Sequence, residues 1–304
     1  MRSDLFRIFR KLRPEQLGLD PHEGFDSPDL GLKDTAGRVR LMFGVYSEEG
    51  LRKAFETYGS IERLEARGVG PLEVRLNLDD PFRPNIQLWS RKYKAPATDT
   101  VLSLTTGKAL GLAAPFHQSR LLSLESVLLQ HPGKDFDWSR PPLPEQNHPG
   151  LSLSGEVLDL LILVARRINA DGMVLVPSTF HAARIYERHF QFVDGSAEGD
   201  FRALRHTGEL RPLWLLSWAI SLGCVTDDGE PFTWKPAMMM APLKPELGQL
   251  FESGAYQAAV AAREWSRLAI DFDLLRERFP WELMPKSRPP ALICALLQPK
   301  LRAR

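Results

Sequence analysis

Residues 147–192 read NHPGLSLSGEVLDLLILVARRINADGMVLVPSTFHAARIYERHFQF, and the order of elements in this stretch decides the fold. Gly150 permits a tight turn, and Ser152, Ser154 and Gly155 follow with small or polar side chains. Val157 to Ala165 is apolar except for Asp159, and Arg166 and Arg167 place positive charge where a helix C-terminus favours it. The spacing predicts a helix over 154–167. A Gly/Ser turn ahead of a buried helix points free backbone N–H groups and a positive dipole end forward, which makes an anion site. The same residues also suit an ordinary N-cap, with Ser152 or Ser154 bonding the first-turn amides and nothing bound.

Beyond that helix, Asp171-Gly172 turns the chain and Met173 to Val176 is an apolar run of strand length. Pro177 and Ser178 end it. Phe180 to His189 resumes helical spacing, with Ala182, Ile185, Tyr186 and His189 on one face. The order is loop, helix, strand, helix.

With that order, the stretch resembles the GNAT superfamily of acyl-CoA-dependent N-acyltransferases. In that family a loop written Q/R-x-x-G-x-G/A holds the coenzyme A pyrophosphate on its amides at the start of a helix. A strand follows, then a helix that commonly carries a Tyr shortly before a Phe. Asn147-x-x-Gly150-x-Ser152 is similar to the loop, Met173 to Val176 to the strand, and Ala182 through Tyr186 to Phe190 to the last helix. Asn147 stands in place of Gln or Arg, and Ser152 in place of the second Gly or Ala. The resemblance implies acetyl-CoA or another acyl-CoA as cofactor, held by Asn147, Gly150, Leu151, Ser152, Leu153, Ser154 and Gly155. Leu128 and Leu129, on the preceding strand, would flank it. An acyl carrier protein is the other donor consistent with the pattern. The acceptor would be an amine, on a small molecule or a protein.

Upstream, Val39 to Val45 has strand composition, and Ser47-Glu48-Glu49 opens a helix with a polar cap and an acidic first turn. Further strands are expected at Val74 to Leu78, Asn85 to Trp89, Thr100 to Thr105 and Leu121 to Gln130. The whole predicts an α/β (α+β) fold: a three-layer α/β/α GNAT-like domain with a mixed, mainly antiparallel sheet, plus a helical C-terminal appendage. Expected boundaries are 1–38 for an N-terminal helix and irregular lead-in, 39–210 for the acyltransferase-like domain, and 211–304 for the extension. The extension should hold a Trp-rich helix at Leu213 to Leu222, a hairpin turning at Asp227-Asp228-Gly229, and a mostly helical run from Glu246 to Phe279. It is also the segment through which a homodimer or protein partner would bind.

Two residues are catalytic candidates. Strict alternation puts Glu125 among Leu121, Ser123, Val127 and Leu129, on an otherwise apolar face. Burial there would raise its pKa and suit it to take a proton from an attacking amine. The alternative is an exposed Glu paired with an Arg. Tyr186 takes, by resemblance, the part of the hydroxyl that protonates the departing thiolate. It equally suits simple packing on an amphipathic helix.

At 304 residues, with 43% hydrophobic and 25% charged side chains, the chain has the composition of a soluble globular protein. The formal net charge of +1 argues against general attraction to nucleic acid or anionic membrane. Only two cysteines, Cys224 and Cys294, are present in a chain this long, which suits reduced thiols in the cytoplasm, and no Cys/His spacing is of the metal-binding type. No apolar run reaches the roughly 18–20 residues of a membrane span. Met1 to Arg13 is basic and amphipathic, so it suits either a membrane surface or, at this length, docking on the protein itself. The function expected is acyl transfer to an amine by direct attack on the thioester. The other reading is a catalytically inactive GNAT-like binding or protein-interaction module.

Overall fold

The computed structural model describes residues 3–18, 41–80, 82–93, 100–109, 116–207, 212–263 and 267–297. Val39, most of the irregular lead-in and the basic tail at Lys300 to Arg304 lie outside the described residues. The chain is mixed α and β with mainly antiparallel pairing. It forms two compact units, each assembled from separate stretches: Met1–Gly133, Gly150–Leu175 and Ala241–Leu247 in the first, and Lys134–Pro149, Val176–Met240 and Gly248–Arg304 in the second. Both units therefore cut across the expected boundary at 210.

The first unit opens with α1 (Ser3–Lys11). Leu5 and Leu12 are buried, and Arg167 donates from Nη2 to the Phe9 carbonyl at 2.7 Å. This basic amphipathic segment is thus docked on its own unit. In place of the strand expected up to Val45, residues 41–46 form a tight turn closed by a Met42–Tyr46 bridge. Phe43 and Gly44 both have positive φ there, so the chain cannot run extended. α2 (Glu48–Thr57) starts where Ser47 predicts, and its Leu51 and Ala54 are buried. α3 (Ser60–Glu65) follows at once.

Four antiparallel strands come next: β1 (Leu72–Asn77), β2 (Asn85–Ser90), β3 (Thr100–Lys108) and β4 (Leu121–Leu129). Register sets Val74 opposite Leu88 and Leu88 opposite Leu102, and all three are buried, so alternation gives one apolar sheet face. Residues between them, such as Arg75, Gln87 and Trp89, lie on the other face, where the Arg75 guanidinium stacks 3.8 Å from the Trp89 ring.

α4 (Ser154–Arg167) is the long helix that the apolar run demands, and β5 (Gly172–Leu175) is buried along its whole length. A helical crossover is what allows β5 to pair parallel with β4. Gly172 is squeezed: a Cβ would lie 3.1 Å from the Ala241 carbonyl and from the Leu121 and Leu247 side chains. Asp171, just before β5, accepts at 2.7 Å from the Arg120 amide and pairs with Lys244.

In the second unit, α5 (Phe180–Tyr186) is shorter than expected and β6 (Gln191–Phe192) follows. α6 (Gly195–Thr207) and α7 (Leu213–Ser221) come next. β7 (Val225–Asp227) and β8 (Glu230–Pro231) form the expected hairpin, with Asp228 and Gly229 both at positive φ. β9 (Met239–Pro242) pairs antiparallel with β6 through Met239 and Met240. α8 (Pro245–Glu252), α9 (Gly254–Ala261), β10 (Leu268–Ile270), α10 (Phe272–Arg278) and α11 (Ala291–Leu297) complete the chain. The run expected to be helical from Glu246 to Phe279 is thus broken by β10, which pairs with β7.

An aromatic core holds this unit. The Phe192 ring packs tilted against Phe201 at 5.5 Å and edge-to-face against Trp234 at 6.0 Å, and Phe180 reaches both. α6 lies close against α9 because it presents glycine: a Cβ on Gly195 would fall 2.8 Å from that of Ala259. The proline-rich stretch before α4 is anchored in this unit too. Trp218 donates to the Pro142 carbonyl and Trp138 to the Ser287 carbonyl, each at 2.8 Å.

Candidate functional site

The candidate site of the first unit is set by where β4 and β5 stop pairing. Their parallel register runs only from Leu121–Gly172 to Ser123–Val174. β4 continues as far as Leu129 against β3, so its second half is without a partner on the β5 side among the described residues. A bulge falls at the same place. Thr105 pairs with Ser126 and Thr106 with Leu124, so Glu125 is the extra residue. A bulge of this kind bends the strand and reverses the facing of everything beyond it.

The turn before α4 lies against the free end of β4. Gly150 bridges Gln130, and the carbonyl of Leu129 sits 3.8 Å from where a Gly150 Cβ would be. Ser152 takes a left-handed φ of 56°, and Leu151 and Leu153 turn inward to bury their side chains. This contortion puts Leu153, which has no side-chain acceptor, at the N-cap. Among the described residues neither Ser152 nor Ser154 bonds a first-turn amide, so the ordinary N-cap is not formed. Of the first-turn amides, that of Glu156 donates to the Leu153 carbonyl at 3.0 Å, while the Glu156 side chain turns away from the helix end. Glu156 is buried, and its Oε1 accepts from Ser60 Oγ at 3.2 Å and from Arg63 at 2.5 Å. Fourteen residues of aligned dipole and a half-exposed first turn are thus left facing outward at Ser154 and Gly155. Such an end favours an oxyanion.

Of the other residues implied for the cofactor, Leu128 is exposed, Leu129 half-buried and Asn147 exposed. Asn147 belongs to the second unit, whereas Gly150 onward belongs to the first.

Glu125 does not have the buried apolar setting that strict alternation assigns to it. It is exposed, and its carboxylate lies 3.2 Å from Arg83 Nε and 3.4 Å from the position of a Cβ on Gly107. The bulge is the reason: it takes Glu125 out of the alternation, leaving Leu122 and Leu124 buried and Ser126 and Leu128 exposed. Arg83, its partner, carries no signal in the sequence beyond being a cation in the turn before β2.

Tyr186 is the last residue of α5, in the second unit. It is half-buried, with its ring edge-to-face on Phe190 at 6.1 Å. Burial pushes the phenol up to about 12, so it keeps its proton at neutral pH. No hydrogen bond engages its hydroxyl among the described residues. The buried positions of α5 are Phe180 and Ala183, and Ile185 is exposed. The expected stripe of Ala182, Ile185, Tyr186 and His189 is therefore rotated away from the core.

His181, one turn before Tyr186, is pushed down to about 4 by burial, and one ring nitrogen contacts Thr179 Oγ1 at 3.2 Å. Among the described residues no group of His, Cys, Asp and Glu is arranged to hold a metal ion, and both cysteines are free. No helix among them is long and apolar enough to cross a membrane. Compared with models of protein families and with curated proteins, the chain matches none.

Proposed function

We propose that the chain is an acyl-CoA-dependent N-acyltransferase that binds the diphosphate of coenzyme A on the first turn of α4. The observation that carries this is the conjunction of an uncapped helix start with the parting of β4 from β5 beside it. The amides supply donors and partial positive charge, and the unpaired edge of β4 supplies backbone groups to an extended ligand. The run of β4, α4, β5, α5 and β6 in chain order also supports the reading, being the order that the GNAT resemblance implies.

In the reaction implied, an amine loses its proton as it attacks the thioester carbonyl. The tetrahedral intermediate then collapses to an amide and releases the thiolate, which takes up a proton. Glu125, at the bulge, is the candidate to accept the amine's proton, directly or through water. Its carboxylate lies 3.2 Å from Arg83 Nε. Tyr186 is the candidate donor to the thiolate, because its phenol is protonated and its hydroxyl uncommitted. Acetyl-CoA is the first donor to test.

One observation favours a second reading, a GNAT-like binding module without catalysis. Glu125 is exposed and ion-paired with Arg83, and so lacks the enclosed setting in which catalytic carboxylates are usually held. Calorimetric titration with coenzyme A tests the cofactor site: absence of binding at millimolar concentration removes both the cofactor and the enzyme. Where it binds, Tyr186→Phe and Glu125→Gln should each lower turnover by roughly 10²-fold or more with affinity nearly unchanged. Binding with unaltered turnover in both variants removes the assigned roles, and binding with no turnover leaves the module.

A further inference from the structure

α1, α2 and α4 do not close completely over the apolar sheet face of the first unit. A cavity of about 70 Å³ remains, walled by Phe9 of α1, Phe55 and Tyr58 of α2, Leu104 of β3, Leu160 of α4 and Tyr46 of the preceding turn. It exceeds the roughly 10–15 Å³ that a single water requires, and it is about half the size of a cavity that admits benzene. Among the described residues no charged side chain lines it.

The polar character of the walls comes from two phenols. Tyr46 is only 5% exposed, yet no hydrogen bond engages its hydroxyl among the described residues. Its oxygen is also not fully enclosed by protein, so the donor is open to a guest. Tyr58 is half-buried, and its hydroxyl is likewise unengaged. Burial, opposed in part by the nearby Arg167 charge, raises both phenols, that of Tyr58 to about 12. Both therefore keep their protons at neutral pH. A donor left without an acceptor in so enclosed a place is unfavourable. A water would find only these hydroxyls among otherwise apolar walls, the least of the roughly two to four partners that it needs.

We infer that this cavity binds a short neutral carbonyl compound, its alkyl part between α2, α4 and the sheet and its oxygen accepting from the Tyr46 hydroxyl. The apolar walls select the alkyl part, and the lack of a lining charge selects against an ion. A carbonyl is preferred to an alcohol, which would add a donor to a site that already has two. The volume excludes a long chain or a nucleotide. This inference does not rest on the acyltransferase reading, because the cavity lies along the middle of α4 and not at its first turn.

The test is titration of the full-length protein with butan-2-one, followed by ligand-observed NMR. The control is 2-methylbut-1-ene, which has the same shape with a methylene in place of the oxygen. Butan-2-one should bind, and Tyr46→Phe should weaken it about fivefold to tenfold while leaving the alkene unchanged. The substitution removes a hydroxyl that bonds nothing in the free protein, so the fold should be kept. Ala54→Leu, which builds a side chain into the cavity from α2, should abolish binding of both ligands. Failure of butan-2-one to bind at millimolar concentration overturns the inference. So does binding that Tyr46→Phe leaves unaltered, or weakens equally for ketone and alkene, and so does binding that a folded Ala54→Leu variant retains. Should Ala54→Leu fail to fold, the two ligands compared on Tyr46→Phe still decide the matter.

Discussion

α2 and α4 belong to the same unit and begin in opposite ways. At α2, Ser47 accepts from the Gly50 amide at 3.0 Å, two glutamates fill the first turn, and Gly50 is buried against the chain at Leu17. At α4 two serines are equally available, yet Ser152 is thrown outward by its left-handed φ and Leu153 occupies the cap. The one first-turn acid of α4, Glu156, points to α3 instead of standing in front of the helix. The difference shows that capping residues in a sequence do not guarantee a cap. The path of the preceding chain decides, and here the Gly150–Gln130 bridge sets that path.

The comparison breaks first at the glycines. A Cβ on Gly50 would lie 2.0 Å from the Leu17 carbonyl oxygen, a contact that backbone atoms cannot relieve without moving. Gly50→Ala should therefore cost about 3 kcal/mol or more in urea unfolding, as overpacking against backbone does. At Gly150 only the Leu129 carbonyl comes near, at 3.8 Å, and Gly150→Ala should stay within about 1 kcal/mol of the parent. Equal losses in the two variants would show that the start of α4 is as tightly enclosed as that of α2.

α5 supplies a third helix start and a pH effect. Thr179 caps it, and His181 contacts the same hydroxyl. Burial holds the His181 imidazole at about 4 in the folded state, against 6.5 for the free group. Between those values the unfolded chain binds the proton more readily, so stability must fall as pH drops from 6.5 toward 4. The contribution of this residue should be roughly 2–3 kcal/mol across that window. His181→Gln should flatten the stability–pH curve there by that amount, and an unchanged curve would show the ring to be hydrated.

Ser154→Asp sharpens the contrast at α4 itself. A carboxylate on the first turn favours the helix dipole, so stability should hold or rise by up to about 1 kcal/mol. The same charge would stand where the diphosphate is proposed to bind, and coenzyme A affinity should fall by roughly tenfold or more. A variant that binds coenzyme A as the parent does would place the diphosphate elsewhere.

Much of this was legible in sequence because periodicity carries it. The apolar run that became α4, the four-residue run that became β5 and the Asp227-Asp228-Gly229 hairpin all depend on local pattern. The setting of Glu125 was not legible, since a bulge is a relation between two strands and leaves no mark on either alone. β10 was hidden for a similar reason: Leu268 to Ile270 is a strand only because β7 offers it an edge. β9 was hidden likewise: Met239 and Met240 are strand only because β6 pairs with them. Arg167 read as a helix-end cation, and nothing near it in sequence announced its bond to the Phe9 carbonyl.

The smallest effect divides the two helices most cleanly. Ser47→Ala removes an acceptor that the Gly50 amide uses, and that amide has no replacement inside the first turn. The cost should be about 1 kcal/mol, seen as a lower urea midpoint with an unchanged slope, and coenzyme A affinity should not move. Ser152→Ala and Ser154→Ala remove hydroxyls that bond no amide of α4, so each should change stability by no more than about 0.5 kcal/mol. If either α4 serine instead cost as much as Ser47, that serine would be capping the helix in solution. The first turn of α4 would then be satisfied by the protein itself, with no free donors left for a diphosphate, and the cofactor site would have to be given up.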